Sequence, residues 1–334
     1  MKKTVKLFAA AALSAAIAFG MAGCNLATSG FGTITIPGLP EPQARPGDVV
    51  IIGPGDLDMG EVRAGGQGFL MGSPSDEIGR QDNEGPQRLV TISQDFWISE
   101  TPVTIAQWYA VMGSATPSFP PLGGDAPGRR PVVAVNWFDV LVFANRLSER
   151  EGFTPAYMIN GSTDPDDWGP VPRWTFTGSV VPDLLAMWNA VQIVPGSTGY
   201  RLPTEAQWEA AARAGTTTAF SNGEQDWNNT ESIDRIAWFG FRGGGEGVRE
   251  VRLKDPNPLG LYDIHGNALE WVWDWYGAYP TQAQTDPTGP AEGTRRVLRG
   301  GTWLSSASLS RSASRLHLYP WAAYGLHGFR LVRP

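Results

Sequence analysis

The 334-residue chain has a single cysteine. One cysteine excludes an internal disulfide and a thiolate metal cluster. It stands at position 24, just behind an apolar leader, so the folded part has no cysteine nucleophile either. Histidine is scarce as well, with three in the chain, and no His-rich segment is present to supply a metal centre. Basic charge is in deficit: 26 Lys and Arg against 33 Asp and Glu leave a net charge of −7. That balance lacks the basic footprint of a nucleic-acid binder. Leu7 to Met21 is apolar but too short for a good membrane span. No repeat and no clean linker interrupts Met59 to Pro334, so a single domain over 59–334 is the simplest reading.

What the chain does have is length enough to bury a full core, together with 41 Gly, 27 Pro and 14 Trp. This composition favours a loop-rich globular domain with aromatic clusters over a helical bundle. The N-terminus reads as an export signal. Lys2, Lys3 and Lys6 precede the apolar run, which ends at Met21-Ala22-Gly23-Cys24. Small residues before a lone Cys resemble a bacterial lipobox. Residues 1–23 would then be a lipoprotein signal peptide, and Cys24 the lipidated N-terminus of a protein anchored in the cell envelope, on its outer surface. The alternative is an ordinary signal peptide with a chance Cys. Residues 24–58 read as this N-terminus and a tether rich in Gly, Pro, Thr and Ser, with one short strand at Thr33 to Ile36.

Four helices are expected. Thr104 caps one through Met112, with Gly113 as its stop. Asn136 caps a second through Arg150, with Val140, Phe143, Ala144 and Leu147 on one face. Asp183 caps a short third through Ala190. The fourth begins at Thr204, with Gln207 three residues on as in a capping box, and ends at Gly215. Gly68 to Ser73 reads as a strand entering a turn, Leu89 to Ser99 as another strand, and everything after Gly215 as short strands and long loops. Helices first and irregular β-structure later argue an α+β fold.

Seven stretches occur in order: GFLMGS, ETPVTIAQW, PVVAVNWFDVLVFANRLS, GYRLPTEAQWEAAARAG, NPLGLYDIHGNALEWVWDWY, RVLRGGTW and GFRLV. As an ordered set they resemble the formylglycine-generating enzyme, or sulfatase-modifying factor, family over about Gly65 to Pro334. The resemblance implies a loop-rich C-type-lectin-like fold. Catalytic members oxidise a substrate cysteine with a copper-binding cysteine pair. Those cysteines lie two and seven residues after the Trp of RGG-x-W, where this chain has Ser305 and Ser310. A serine hydroxyl is a poor soft-metal ligand and is not redox-active here. No copper and no catalytic residue are therefore expected. In relatives the GLYDIHGNALEW loop binds calcium. By position its ligands would be the Asp263 and Glu270 carboxylates and the Gly266 and Ala268 carbonyls, an oxygen set suited to a structural calcium ion. The alternative is that these carboxylates only bond groups of the turn. A second calcium loop has no counterpart between Asn228 and Asp255. His265, inside the first loop, is structural or catalytic. Glu205 and Glu209, four apart on a helix, are an acid pair or simply suit a helix start.

The C-terminal region, about 298–327, separates into two interleaved sets. One matches the family framework: Arg299, Gly300, Gly301, Trp303, Ala307, Arg311, Ser312, Ala313, Arg315, Pro320, Gly328, Phe329 and Arg330. The other holds Leu304, Ser305, Ser306, Ser308, Leu309, Ser310, Ser314, Leu316, His317, Leu318, Tyr319, Trp321, Ala322, Ala323, Tyr324, Leu326 and His327. Leu304 to His327 contains no Asp, Glu or Lys. Tyr, Trp and His beside Ser and Ala is a paratope-like composition, with large contact area at low entropic cost. This arrangement resembles the variable proteins of diversity-generating retroelements, which use the same fold and rewrite the 3′ end of their own gene. The resemblance implies a surface lipoprotein that binds an undefined protein or surface ligand without catalysis, and has no nucleic-acid partner. The alternatives are an oxidase or protein-maturation factor of the envelope, or a structural lipoprotein whose leucines here are ordinary core.

Overall fold

Capping chemistry sets the main helices. In the computed structural model, which describes residues 49–52, 68–113, 127–173, 180–240 and 247–334, Thr104, Asn136 and Thr204 each accept a hydrogen bond from the backbone three residues on. In each case the side chain at that third position returns the bond to the cap, giving three complete capping boxes. In chain order the elements are β1 (Val49–Ile52), β2 (Phe69–Met71), β3 (Arg88–Thr91), β4 (Phe96–Ser99), α1 (Ile105–Met112), α2 (Trp137–Arg150), β5 (Tyr157–Met158), α3 (Pro182–Asn189), β6 (Gln192–Ile193), α4 (Glu205–Arg213), α5 (Thr230–Asp234), β7 (Ala237–Trp238), β8 (His265–Gly266), β9 (Leu269–Trp275), β10 (Gln284–Thr285), β11 (Arg296–Arg299), β12 (Leu316–Leu318), β13 (His327–Phe329) and β14 (Val332–Arg333). Among the described residues, five α-helices and many small strands joined by loops make the α+β, loop-rich fold expected.

The central sheet has the order β12-β11-β9-β13. β9 pairs antiparallel with β11 and parallel with β13, while β12 lies antiparallel on the far side of β11. The C-terminal chain therefore forms three of the four strands. Two further sheets run β1-β4-β14 and β10-β3-β2. The larger core packs α1 and α2 against Trp168, Trp188, Trp271, Leu298 and Phe329. A second core sets α4 against β2, β3, β4 and the other face of β9. The Trp137 indole ties them, its Nε1 donating to the Val272 carbonyl (2.9 Å), while Trp271 Nε1 donates within the larger core to the Val135 carbonyl (3.0 Å).

Several expectations need correction. Asp183 does not cap α3: Pro182 occupies the first helical turn, where its missing N–H costs nothing, and Val181 is the cap. α4 closes one residue early, on Ala214 in the left-handed region (φ 48°), with Gly215 following at φ 83°. Leu89 to Ser99 is two strands in two different sheets, and the short helix α5 lies beyond Gly215. Within the expected tether, β1 pairs with β4 from Val49↔Ser99 to Ile52↔Phe96. Cys24 and the strand expected at Thr33 to Ile36 lie outside the described residues. Among the described residues no helix is long and apolar enough to cross a membrane.

Candidate functional site: the C-terminal surface

Four arginines pin the C-terminal chain, each buried against a carboxylate. Arg299 reaches Glu205 (3.2 Å) and Glu209 (2.6 Å). Arg311 binds Glu84 through both terminal nitrogens (2.8 and 2.6 Å) and also meets Glu77. Arg315 forks onto Glu205 (2.6 and 2.9 Å), and Arg330 onto Glu270 (2.6 and 2.8 Å). Glu209 also takes Arg213 and the Gly72 amide. Burial opposes the charge on Glu209, but Arg213 and Arg299 outweigh it and hold the carboxyl below its ordinary range. Glu205 and Glu209 are thus counter-ions with no acid–base role visible. Such bidentate buried pairs fix geometry.

Between these pins the chain turns outward. Of the thirteen framework residues, all but Trp303 are buried, and Trp303 is half-buried. Of the other set, Leu304, Ser306, Tyr319 and Tyr324 are exposed. Ser305, Ser308, Leu309, Leu316, His317, Leu318, Trp321, Ala322, Ala323 and Leu326 are half-buried. Ser310, Ser314 and His327 are buried, a correction to the surface set: they face the scaffold and offer no contact area. Leu316, Leu318 and Trp321 also pack their inner sides on the larger core.

The exposed residues form two groups. In the first, 304–309, Thr302 and Ser305 bond each other's hydroxyls (3.0 Å), Ser306 and Ser308 do the same (2.7 Å), and the Ser305 carbonyl accepts from the Gly240 amide (2.7 Å). In the second, 316–326, the rings of Tyr319 and Trp321 stack (4.5 Å between centroids, 17° apart), and Tyr324 meets His327 edge-on (5.5 Å). Backbone bonds clamp this turn to the scaffold: Ala134 N–H donates to the Tyr324 carbonyl and Trp137 N–H to the Pro320 carbonyl. Two members escaped sequence reasoning. The Arg295 guanidinium lies 4.9 Å over Tyr319 with a nitrogen 3.3 Å from His317, and Tyr276 packs 3.9 Å from His317. Only the β11–β12 register, which sets Arg296 opposite Leu318, brings them there. Burial, then Arg295, lowers the His317 pKa. Burial alone pushes His327 down to about 4.

The predicted metal ligands do not fit a calcium ion. Both Glu270 oxygens are held by Arg330, and one also accepts from Trp208 Nε1 (2.7 Å). A cation there would sit against a guanidinium. Asp263 accepts from the Arg252 amide (3.0 Å) and Asn267 Nδ2 (3.1 Å), and burial raises it to about 6. Among the described residues no three His, Cys, Asp or Glu gather as a metal site. Gly266 lies at φ +86°, and its missing Cβ lets the Trp238 carbonyl approach, where a Cβ would come within 2.1 Å. Ala268 is wholly buried. His265 is fixed between Ser221 Oγ (2.9 Å) and the Ser310 carbonyl (2.8 Å), and burial lowers it to about 4. The serines at the family's cysteine positions do not fit copper. Ser305 Oγ is engaged with Thr302, and Ser310 Oγ is buried with no hydrogen-bond partner among the described residues.

With this fold and these pins in view, the class is plain. The chain belongs to the sulfatase-modifying factor family: the sulfatase-modifying factor enzyme 1-like domain matches residues 37–334. Its structure is similar to that of Treponema denticola variable protein 1, with a TM-score of 0.69 and 32% sequence identity over 86% of this chain and 95% of that one. In sequence it is 32% identical over 272 residues to the chaperone protein LppX of Paenibacillus barcinonensis, covering 73% of this chain and 81% of the relative. It is 30% identical over 304 residues to the formylglycine-generating enzyme of Streptomyces coelicolor, covering 87% and 91%. The chain spans only 22% of the length of the serine/threonine-protein kinase pkn1 of Chlamydia pneumoniae that it also matches.

Proposed function

We propose that this protein is a non-enzymatic ligand-binding lipoprotein, exported and anchored at Cys24 on the outer surface, whose C-terminal surface is diversified by a retroelement to bind varied protein or surface ligands. One observation carries the reading. Exposed Leu304, Tyr319 and Tyr324 and their half-buried neighbours are interleaved with framework residues that, apart from Trp303, are all buried, on a chain pinned by four arginine–carboxylate pairs. Such a surface can change without disturbing the core. Its large rings, with no acid or lysine to desolvate, suit a contact surface. The similarity to the Treponema denticola variable protein supports the same reading. Ser305 and Ser310 argue against turnover, since neither can serve as a soft, redox-active copper ligand.

The test is sequencing of this locus across clones and related strains, with a search of neighbouring DNA for a near-copy of the 3′ end. The reading expects variation confined to the exposed set, with differences at template adenines. Changes spread evenly along the gene, with no template copy, would remove it. A second reading, an oxidase or protein-maturation factor of the envelope, draws on the names of two relatives, a formylglycine-generating enzyme and a chaperone. Cysteine-to-formylglycine conversion in the presence of copper would support that reading and count against the first.

A further inference from the structure

Where β2 and β3 meet the chain that follows β9, a cavity of about 230 Å³ is lined by Met71, Arg88, Asp274, Tyr279, Gln284 and Pro290, among others. No residue of the C-terminal surface set lines it. Arg88 is 5% exposed and stacks 3.6 Å over the Tyr279 ring. Its Nε donates to Gln284 Oε1 (3.3 Å) and one terminal nitrogen contacts Met71 Sδ (3.5 Å). The other terminal nitrogen is buried and has no partner among the described residues. The contrast with Arg299, Arg311, Arg315 and Arg330 is direct, since each of those holds a carboxylate. A buried guanidinium without a counter-ion is costly. An anion in the cavity that Arg88 lines would complete it.

We propose that this cavity binds a small organic monocarboxylate, with its carboxylate on Arg88 and a short apolar tail against Pro290 and the edge of the Tyr279 ring, whose faces carry Arg88 and Arg315. A planar guanidinium matches a planar carboxylate. Gln284 has given its oxygen to Arg88, so its amide nitrogen is the second donor. The volume holds far more than one water of about 30 Å³, yet lies below the roughly 300 Å³ of ordinary ligand pockets, so the tail is short. Glu205 and Asp274 line the same cavity, and their repulsion weighs more on a doubly charged oxyanion such as phosphate than on a monocarboxylate.

Isothermal titration of the full chain with sodium butyrate tests this, against sodium chloride and sodium phosphate at matched ionic strength. Saturable butyrate binding is expected, with none for chloride and phosphate at least roughly tenfold weaker. Arg88→Met should weaken butyrate at least about tenfold. Ala278→Trp should block it too, because Ala278 is exposed and lines the cavity. If Arg88→Met does not fold, the Ala278→Trp variant decides. Absence of saturable binding, undiminished affinity in the variants, or phosphate binding as tight as butyrate would each overturn the proposal.

Discussion

Arg311 to Arg315 and Leu316 to Leu326 are adjacent in the chain and opposite in habit. The first five residues are buried, at 2% exposure or less, although two are arginines. In the second stretch Tyr319 and Tyr324 stand 40% and 59% exposed, although both are large rings. Side-chain type alone predicts the reverse. Burial here follows partners. Glu84 and Glu205 compensate the arginines, while the rings are carried on a turn whose backbone is held from below by Ala134 and Trp137. Charge inside and aromatic surface outside is a division of labour: one stretch fixes the backbone and the other presents side chains.

The comparison breaks most visibly at its ionic half. Among the described residues, Glu205→Ala removes the one carboxylate paired with Arg315 and one of two on Arg299. An uncompensated buried charge should cost about 3–5 kcal/mol in chemical denaturation. The Glu205→Met, Arg315→Met double variant should recover much of that, since it removes the stranded charge. A Glu205→Ala loss below about 1 kcal/mol would mean these pairs do not hold the stretch.

A pH series sharpens the boundary at His327. Its pKa is near 4 in the fold against 6.5 in an ordinary chain. Below pH 6.5 the unfolded chain takes up a proton that the fold refuses. The stability tied to neutral His327 is therefore whole above pH 6.5 and is lost as pH falls toward 4, by about 3 kcal/mol. The stability difference between the wild-type chain and His327→Gln should shift by about that amount over this window. A difference that stays constant with pH would return His327 to the exposed group.

Gly301 tests the backbone between the two groups. It has φ +79°, and an added Cβ would come within 2.5 Å of Ser310 Oγ and 2.9 Å of the Leu309 carbonyl. Gly301→Ala should cost roughly 2 kcal/mol in thermal or chemical melts.

Much of this was legible in the sequence, and the rest was hidden for physical reasons. The Thr104, Asn136 and Thr204 caps are local, three-residue chemistry, and they stand as read. The framework set was legible through its resemblance to a family, and apart from Trp303 it is buried. The partners were not. Arg311 finds Glu84 across 227 positions and Arg315 finds Glu205 across 110, and nothing in either local pattern marks the pairing. The same long-range term bears on the calcium expectation: Glu270 looks like a free oxygen ligand until β13 and the chain beyond it bring Arg330 onto both of its oxygens. Ser310, Ser314 and His327 were misplaced because composition cannot say which way a residue between two pins will turn.

The smallest effect belongs to the exposed half. Leu304 is 39% exposed and Tyr324 59%, and neither belongs to a packed core cluster. Leu304→Ser and Tyr324→Ser should each change stability by no more than about 0.5 kcal/mol. Trp321→Ser, by contrast, should cost more, because Trp321 packs on the larger core from its half-buried side and stacks on Tyr319. Melts of Tyr324→Ser and Trp321→Ser side by side separate display from packing within one turn, with Leu304→Ser as the comparison from the 304–309 group. If Tyr324→Ser proved as damaging as Trp321→Ser, the outward turn would be part of the scaffold, and a surface free to vary would have to be sought in the 304–309 group alone.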